Sequence, residues 1–233
     1  MLPADDTHLG TRIRSLRTGR GVSLRALSAE LGISPSALSQ IERGRMRPSV
    51  TRLLQIMSAL NAPLSAAFGE TAPGGPTAEA TAADATAAEA VPSGTPTDGT
   101  ETGDAPPGGT GAARRAGTSD LGDAVVVTRA DESAVLSLGD GVTYRSLTPV
   151  PLSGAEVYET VYPPGSTSSQ DAEYLSHAGH EMGSVTAGRL TVDVDGVRHE
   201  LGPGDGIRFP SARPHRIRND GADTAVAVWI NVH

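Results

Sequence analysis

Three residues in the C-terminal half of the chain could share one ligand: His177, Glu181 and His215. The first two lie four residues apart within YLSHAGHEMGSVTAGRL, and the third follows in a later segment. Two imidazoles and a carboxylate can bind a divalent ion such as Fe(II) and leave coordination positions open. The same groups can instead hydrogen-bond an organic ligand without a metal. Both interpretations stay open: a divalent metal (Fe, Mn, Ni or Zn) or a metal-free effector pocket.

Other chemistry has little support in the sequence. His180 is adjacent to Glu181, and in an extended strand neighbouring side chains point to opposite faces, so we expect His180 to lie outside the pocket. We expect His199, in the polar alternation of a predicted hairpin, at the surface, and Trp229 in the core. The chain contains no cysteine and no G-x-S-x-G motif, so it shows no candidate nucleophile. We therefore assign no catalytic residue.

The segment that contains the three residues has the pattern of a small all-β domain. After Leu121 the chain consists of short β-prone runs separated by turns rich in Gly, Pro, Asp and Asn, which is typical of a sandwich or jelly-roll barrel. The pair Asp195-Gly196 predicts a type I′ hairpin turn. The predicted strands are AVVVT, AVLSL, VTYRSL, AEVYETVY, RLTVDVDG, VRHEL, GIRFP, HRIRN and TAVAVWINV.

The N-terminal segment predicts short helices. Gly19 and Gly21 end the first, and Ser23 caps the second. Ser34 caps a third helix that has Pro35 at its first position. A fourth helix starts near Ser49, and a short fifth opens at Pro63 and runs through Phe68. Helices two and three, joined by a turn at Gly32, form a helix-turn-helix, the motif that places its second helix in the DNA major groove.

Composition separates these two parts. Residues 71–119 contain Val91 as their one residue from the set Val, Ile, Leu, Met, Phe, Tyr and Trp, so this stretch cannot bury enough apolar surface to fold. We predict a helix-turn-helix domain over residues 9–69, a disordered linker over 70–120 and a barrel over 121–233. Residues 1–69 carry nine arginines against four acidic residues, whereas the rest of the chain is acidic. A polyanion is therefore expected to meet the N-terminal domain only.

The chain also lacks the marks of a membrane or exported protein. No apolar run approaches about 18 residues, and MLPADDTHLG has neither the basic start nor the apolar core of a signal peptide. We expect a cytoplasmic protein without membrane contact.

The N-terminal segment resembles the XRE class of phage-repressor-like helix-turn-helix domains, through the rhythm S-x-x-x-L-S-x-I-E-x-G-x-x-x-P-S that starts at Ser34. The resemblance implies that the exposed face of helix three meets base edges and that Gln40 is suited to a bidentate contact with adenine. The nearby arginines would contact phosphates. The implied DNA-binding residues are Arg25, Ser36, Ser39, Gln40, Arg43, Arg45 and Arg47.

The C-terminal segment resembles the cupin superfamily. The first cupin motif, G-x5-H-x-H-x3-E-x6-G, is matched by His177, Glu181 and Gly188, with Leu175 at its earlier histidine position. The second motif, G-x5-P-x-G-x2-H-x3-N, is matched by Gly204, Pro210, His215 and Asn219, with Ala212 in place of its inner glycine. Metal-dependent cupins commonly present three histidines and a glutamate, so this chain keeps three of the four ligands.

The two resemblances together imply a transcriptional regulator. Its barrel would bind a small-molecule effector, its helix-turn-helix would bind a double-stranded DNA operator, and barrel pairing would give a homodimer. A tether of 49 flexible residues has an r.m.s. span of about 35 to 42 Å and transmits no strain. We therefore expect an effector to act by changing barrel pairing or by releasing a helix-turn-helix docked on the barrel. The alternative is a mononuclear non-haem iron enzyme resembling hydroxypropylphosphonic acid epoxidase, which also joins a helix-turn-helix-like domain to a cupin.

Overall fold

The structure, a computed structural model, describes residues 6–68, 127–148, 154–170 and 173–232. The predicted linker 70–120 lies outside these residues, as does the start of the AVVVT run. The first range is helical, and its elements are α1 (Asp6–Gly19), α2 (Leu24–Glu30), α3 (Pro35–Glu42), α4 (Val50–Ala59) and α5 (Ser65–Phe68). We call this helical part the head.

Serine caps set the starts of three helices; the sequence predicted the caps of α2 and α3, and for α4 it predicted only the position of the start. Ser23, Ser34 and Ser49 have extended backbones, and each hydroxyl oxygen accepts a hydrogen bond of 3.1 Å from the backbone N–H three residues on. Each cap satisfies one of the N–H groups that a helix start leaves without a partner. The turn between α2 and α3 has Gly32 at a φ of 64°, a left-handed conformation that glycine adopts without steric cost.

The predicted fifth helix begins later than the sequence indicated. Pro63 and Leu64 form a turn, and α5 starts at Ser65. The core of the head consists of the apolar faces of its helices, which include the fully buried residues Ile13, Leu27, Leu38, Leu53 and Ile56.

The remaining described residues form two antiparallel sheets with strand orders β1-β2-β3-β9-β4-β7 and β6-β5-β8. Side chains on β3 and β9 alternate between buried and half-buried positions, as period-2 strands do when one face lines a core. The strands are β1 (Val135–Ser137), β2 (Thr143–Ser146), β3 (Ala155–Tyr162), β4 (His180–Ala187), β5 (Leu190–Val194), β6 (Val197–Leu201), β7 (Gly206–Pro210), β8 (His215–Arg218) and β9 (Ala225–Val232).

The hairpin between β5 and β6 turns as predicted. Asp195 and Gly196 have φ values of 51° and 78°, and positive φ at both central residues defines a type I′ turn. Of the nine predicted strand segments, AVVVT contains no strand within its described residues.

The head packs directly on the barrel through α4 and α5. The backbone N–H of Thr51 donates to the carbonyl of Ser168 at 2.8 Å. The N–H of Ser65 donates to Oε1 of Glu156, also at 2.8 Å. Both donors belong to the first residues of helices, where N–H groups lack partners within the helix. The barrel therefore completes the hydrogen bonding of two head helices.

Candidate functional sites

The three predicted ligands meet at one point of the barrel. Glu181 lies on β4, His215 begins β8, and His177 lies in the loop that leads into β4. Oε1 of Glu181 is 2.7 Å from Nε2 of His177 and 3.1 Å from Nε2 of His215. One donor atom from each residue lies within 4.8 Å of the other two, and Glu181 and His215 are buried. Donor atoms this close together could hold a small cation.

The outer nitrogen of each imidazole is held by a backbone carbonyl. Nδ1 of His177 is 2.9 Å from the oxygen of Ala178, and Nδ1 of His215 is 2.8 Å from that of Arg213. Since a carbonyl oxygen only accepts, each Nδ1 donates, and this orients Nε2 toward Glu181. Histidines that bind metals are held in the same way.

The negative charge of the buried Glu181 carboxylate must be balanced by protons on the imidazoles or by a bound cation. His177 can donate to both Ala178 and Glu181 only as a doubly protonated imidazolium. Burial by itself lowers the pKa of His177, but the hydrogen bond and the negative charge of Glu181 outweigh it, so the pKa is raised. Burial raises the pKa of Glu181, but the two imidazoles outweigh this and lower it to about 2. Glu181 therefore stays ionised beside protonated imidazoles, and a metal ion bound here would have to displace their Nε2 protons.

Leu175 lies beside the three donors. Its backbone exchanges two hydrogen bonds of 2.9 Å with that of His215, and its side chain is buried. The fourth ligand position of a cupin is thus present and apolar. His180 and His199 are exposed, as the strand pattern predicted.

The cavity beside these residues is small and has a wall that sequence reasoning did not predict. It has a volume of about 20 Å³, enough for roughly one water molecule or ion. Val50 and Leu54, from helix α4 of the head, form part of the wall. The other lining residues are Tyr144, Ser168, Leu175, Glu181, His215, Ile217, Trp229 and Asn231. Trp229, which we expected in the core, is buried and also lines this cavity.

The predicted DNA-binding residues lie on the head. On α3, Ser36 and Gln40 are exposed and Ser39 is half-buried. Their i, i+3, i+4 spacing puts them on one side of the helix. The arginines that accompany them are also exposed: Arg25, Arg43, Arg45 and Arg47. The head therefore presents a polar helix face together with four cationic side chains.

A buried ion pair that the sequence did not indicate links α1 to α3. Nε of Arg17 donates to Oε1 of Glu42 at 2.6 Å, and Nη2 donates to Oε2 at 3.0 Å. Nη1 of Arg17 donates to the carbonyl of Val22 at 2.8 Å. The hydrogen bond to Glu42 raises the pKa of Arg17. The pair fixes the end of α3 against the rest of the head.

Comparison with known protein families agrees with both domains. Residues 13–66 match the helix-turn-helix family HTH_3, and residues 158–231 match the cupin domain family Cupin_2. The chain therefore carries an XRE-type helix-turn-helix domain followed by a cupin domain. The predicted fold class, a five-helix bundle followed by an all-β cupin barrel, is confirmed.

Two similar proteins are regulators by name. An HTH-type transcriptional regulator of Sinorhizobium medicae is 42% identical over 69 residues, which cover 30% of this chain and 49% of that protein's length. The chain thus matches about half of that relative. The regulator PuuR of Escherichia coli is 23% identical over 220 residues, which cover 91% of this chain and 88% of PuuR.

The fold also resembles that of a solved structure. The HTH_3 family transcriptional regulator from Vibrio cholerae superposes with a TM-score of 0.60 at 22% identity, covering 98% of this chain and 96% of that one. At this identity the likeness concerns the fold. Among the described residues no helix is long and apolar enough to cross a membrane.

Proposed function

We propose that the protein is a DNA-binding transcriptional regulator whose cupin barrel senses a small-molecule effector. The observation that carries the proposal is the match of residues 13–66 to the helix-turn-helix family, in a head whose α3 presents exposed Ser36 and Gln40 beside exposed arginines. A cationic surface next to a helix-turn-helix is the arrangement that meets a phosphate backbone and base edges together.

In this proposal the head residues divide into two roles. Gln40, with Ser36 and Ser39, reads base edges, because an amide can donate to and accept from adenine at once. Arg25, Arg43, Arg45 and Arg47 contact phosphates and set the position of the head on the duplex. Paired barrels would bring two heads to two half-sites, so we expect a homodimer and a palindromic operator.

The barrel residues His177, Glu181 and His215 form the sensing site. Their donor set and their oriented imidazoles fit a divalent ion such as Fe, Mn, Ni or Zn. Such an ion would add Lewis acidity and open coordination positions to the pocket. Without an ion, the same imidazoles and carboxylate would hydrogen-bond an organic ligand directly.

A metal-dependent enzyme is the second candidate, and the convergence of two histidines and one glutamate within 4.8 Å favours it. Two histidines and a carboxylate leave coordination positions open for chemistry. The exposed arginines and Gln40 of the head favour the regulator, since a barrel enzyme has no use for a base-reading face.

Selection of bound fragments from a random duplex library tests DNA recognition. We expect an enriched palindromic motif and an affinity that falls steeply with salt, because phosphate contacts release counterions. Gln40→Ala should reduce the preference for that motif more than it reduces binding to bulk DNA. Ser58→Ala, at an exposed position of α4, is the matched control. Equal loss of specific and bulk binding would contradict the role of Gln40.

Metal analysis separates the two candidate functions. The protein is purified under iron-replete anaerobic conditions, its metal content is measured, and its binding sites on genomic DNA are mapped by footprinting. The regulator predicts footprints whether or not metal is bound. Iron with substrate turnover and no footprints would instead establish the enzyme.

A further inference from the structure

The helix-turn-helix domain supplies part of the wall of the barrel site. Val50 and Leu54 of α4 complete the wall of the cavity beside Glu181 and His215, and the enclosed volume is about 20 Å³. Binding sites for small organic molecules span roughly 300–1,000 Å³. At this volume the cavity accommodates an ion or a water molecule and has no room for an organic ligand.

Polar contacts hold the start of α4 on the barrel. The N–H of Gly139 donates to the carbonyl of Pro48 at 2.8 Å, on the residue before the α4 cap. The carbonyl of Ser168, itself a residue of the cavity wall, accepts from Thr51. Nη2 of Arg52 lies 3.5 Å from Oε2 of Glu173. The contacts bracket Val50, so the barrel holds the first turn of α4 over the cavity.

A second contact region lies at α5. The ring of Phe68 stacks on that of Tyr158 at a centroid distance of 5.5 Å and an interplanar angle of 9°. Glu156, on the same strand as Tyr158, accepts from the N–H of Ser65 at the start of α5. Two helices of the head, α4 and α5, thus contact the barrel.

We propose that α4 is the lid of the barrel site, so that a docked head and a bound organic ligand exclude one another. This inference rests on the proposed sensing function and specifies how that site communicates with the head. A ligand that reaches His215 and Glu181 must displace Val50 and Leu54, which belong to the DNA-binding domain. The ligand and α4 therefore compete directly for the same surface of the barrel. This competition passes the signal without any strain in the linker.

Docking does not hide the DNA-binding face. Ser36, Gln40, Arg43 and Arg45 remain exposed while Val50 is buried. Ligand binding therefore changes whether the head is held in a fixed orientation on the barrel. Two fixed heads reach an operator with a set spacing, whereas two released heads have no fixed spacing.

A reversible lock tests the lid. A Cβ built on Gly139 lies 3.4 Å from Cα of Ser49, so the double variant Ser49→Cys, Gly139→Cys is a candidate for a disulfide, whose formation is checked by mass spectrometry of the unreduced protein. The chain has no other cysteine, so an intramolecular disulfide formed on oxidation joins these two positions. The reduced form of the same protein is the matched control, because it carries the same substitutions, including the loss of the Ser49 cap.

The probe is diethyl pyrocarbonate, an organic reagent that acylates imidazole nitrogen and is too large for the closed cavity. Peptide mass mapping of the full-length chain gives a rate for each histidine. We expect His215 to react at least about tenfold more slowly in the oxidised protein than in the reduced one, because the lock suppresses local opening. The exposed His180 and His199 should react at equal rates in both forms. Equal rates at His215 would overturn the lid.

A variant that opens the lid completes the test. Leu54→Glu places a carboxylate against the cavity wall beside Glu181, so it should release α4 and speed acylation of His215. Ser58→Glu, an exposed position on the same helix, is the control and should leave the rate unchanged. Slow acylation of His215 in folded Leu54→Glu protein would also overturn the lid.

DNA binding is measured on the same oxidised and reduced samples. If either form binds the duplex enriched from the random library, that result supports the proposed regulator function independently of the lid. Absence of DNA binding in both forms, together with a lock-dependent rate at His215, would remove the proposed function and leave the lid in place.

Discussion

Replacement of Arg17 by methionine should unfold or severely weaken the head while the barrel persists. Arg17 is 8% exposed and Glu42 is 6% exposed, so the substitution leaves a carboxylate buried without its two charge-assisted hydrogen bonds. Loss of one partner from a buried pair costs about 3–5 kcal/mol. The 63 described residues of the head correspond to a stability of roughly 3–9 kcal/mol. The substitution therefore removes between about one third and all of that stability.

Two separate signals make the assay specific. The described α-helices all lie in the head, so circular dichroism at the helix band reports on the head. The one tryptophan of the chain, Trp229, lies in β9 and lines the cavity that α4 also lines, so its fluorescence reports on unfolding of the barrel and on release of the head. In Arg17→Met we expect the helix signal to melt at a much lower temperature or denaturant concentration, with a smaller change in the fluorescence transition.

Two control variants test whether the loss of stability comes from a buried carboxylate left without its partner. The double variant Arg17→Met, Glu42→Leu removes both charges and should recover much of the loss, because no unpaired carboxylate remains. Arg145→Met breaks a pair with Glu159 of 2.8 Å whose side chains are 26% and 31% exposed, and should cost about 1 kcal/mol or less. An Arg17→Met head that loses less than about 1 kcal/mol would refute the reasoning.

Three further predictions address the barrel and the operator. Glu181→Gln should lower the affinity of the protein for added Ni²⁺, measured by calorimetry. The loss should exceed the roughly 10–100-fold that is typical of a residue that only supports a ligand. The control Glu200→Gln, at an exposed position, should not lower this affinity. Gly183→Ala should destabilise the barrel by about 1–3 kcal/mol in denaturant titrations followed by fluorescence, because an added Cβ would lie 2.5 Å from the Trp229 ring. Gly206→Ala, whose nearest contact would be 3.5 Å, should be tolerated, and a reversed order would contradict the packing argument. Arg45→Ala should reduce the slope of log affinity against log salt by about one, and an unchanged slope would mean that Arg45 makes no phosphate contact.

The elements of both domains follow from local sequence. Ser23, Ser34 and Ser49 cap helices because a short hydroxyl side chain satisfies an N–H group within three residues. The Asp195-Gly196 turn follows from the positive φ that these residue types tolerate. Interactions of this kind depend on neighbours in the chain, so they can be predicted without the fold. Positions outside such patterns, such as the start of α5, were predicted less well, because Pro63 permits both a turn and a helix start.

The pocket residues were predicted for a different reason. His177, Glu181 and His215 stand at the spacings of two cupin motifs, and the structure brings them together as the resemblance implies. Their hydrogen bonds to the carbonyls of Ala178 and Arg213 depend on loop geometry, which the motif does not encode. The roles of these residues, and of the arginines and Gln40 on the head, stay predictions for the experiments above.

The sequence by itself therefore determined the two domains, their caps and turns, and the three residues that could hold an ion. Only the tertiary structure decided that the two domains share one cavity. Val50 and Leu54 belong to an apolar stripe on α4, and helical spacing shows that such a stripe is buried without showing what buries it. Their partners across the cavity, Glu181 and His215, are far away in the chain. A contact of that separation depends on how the whole polypeptide packs.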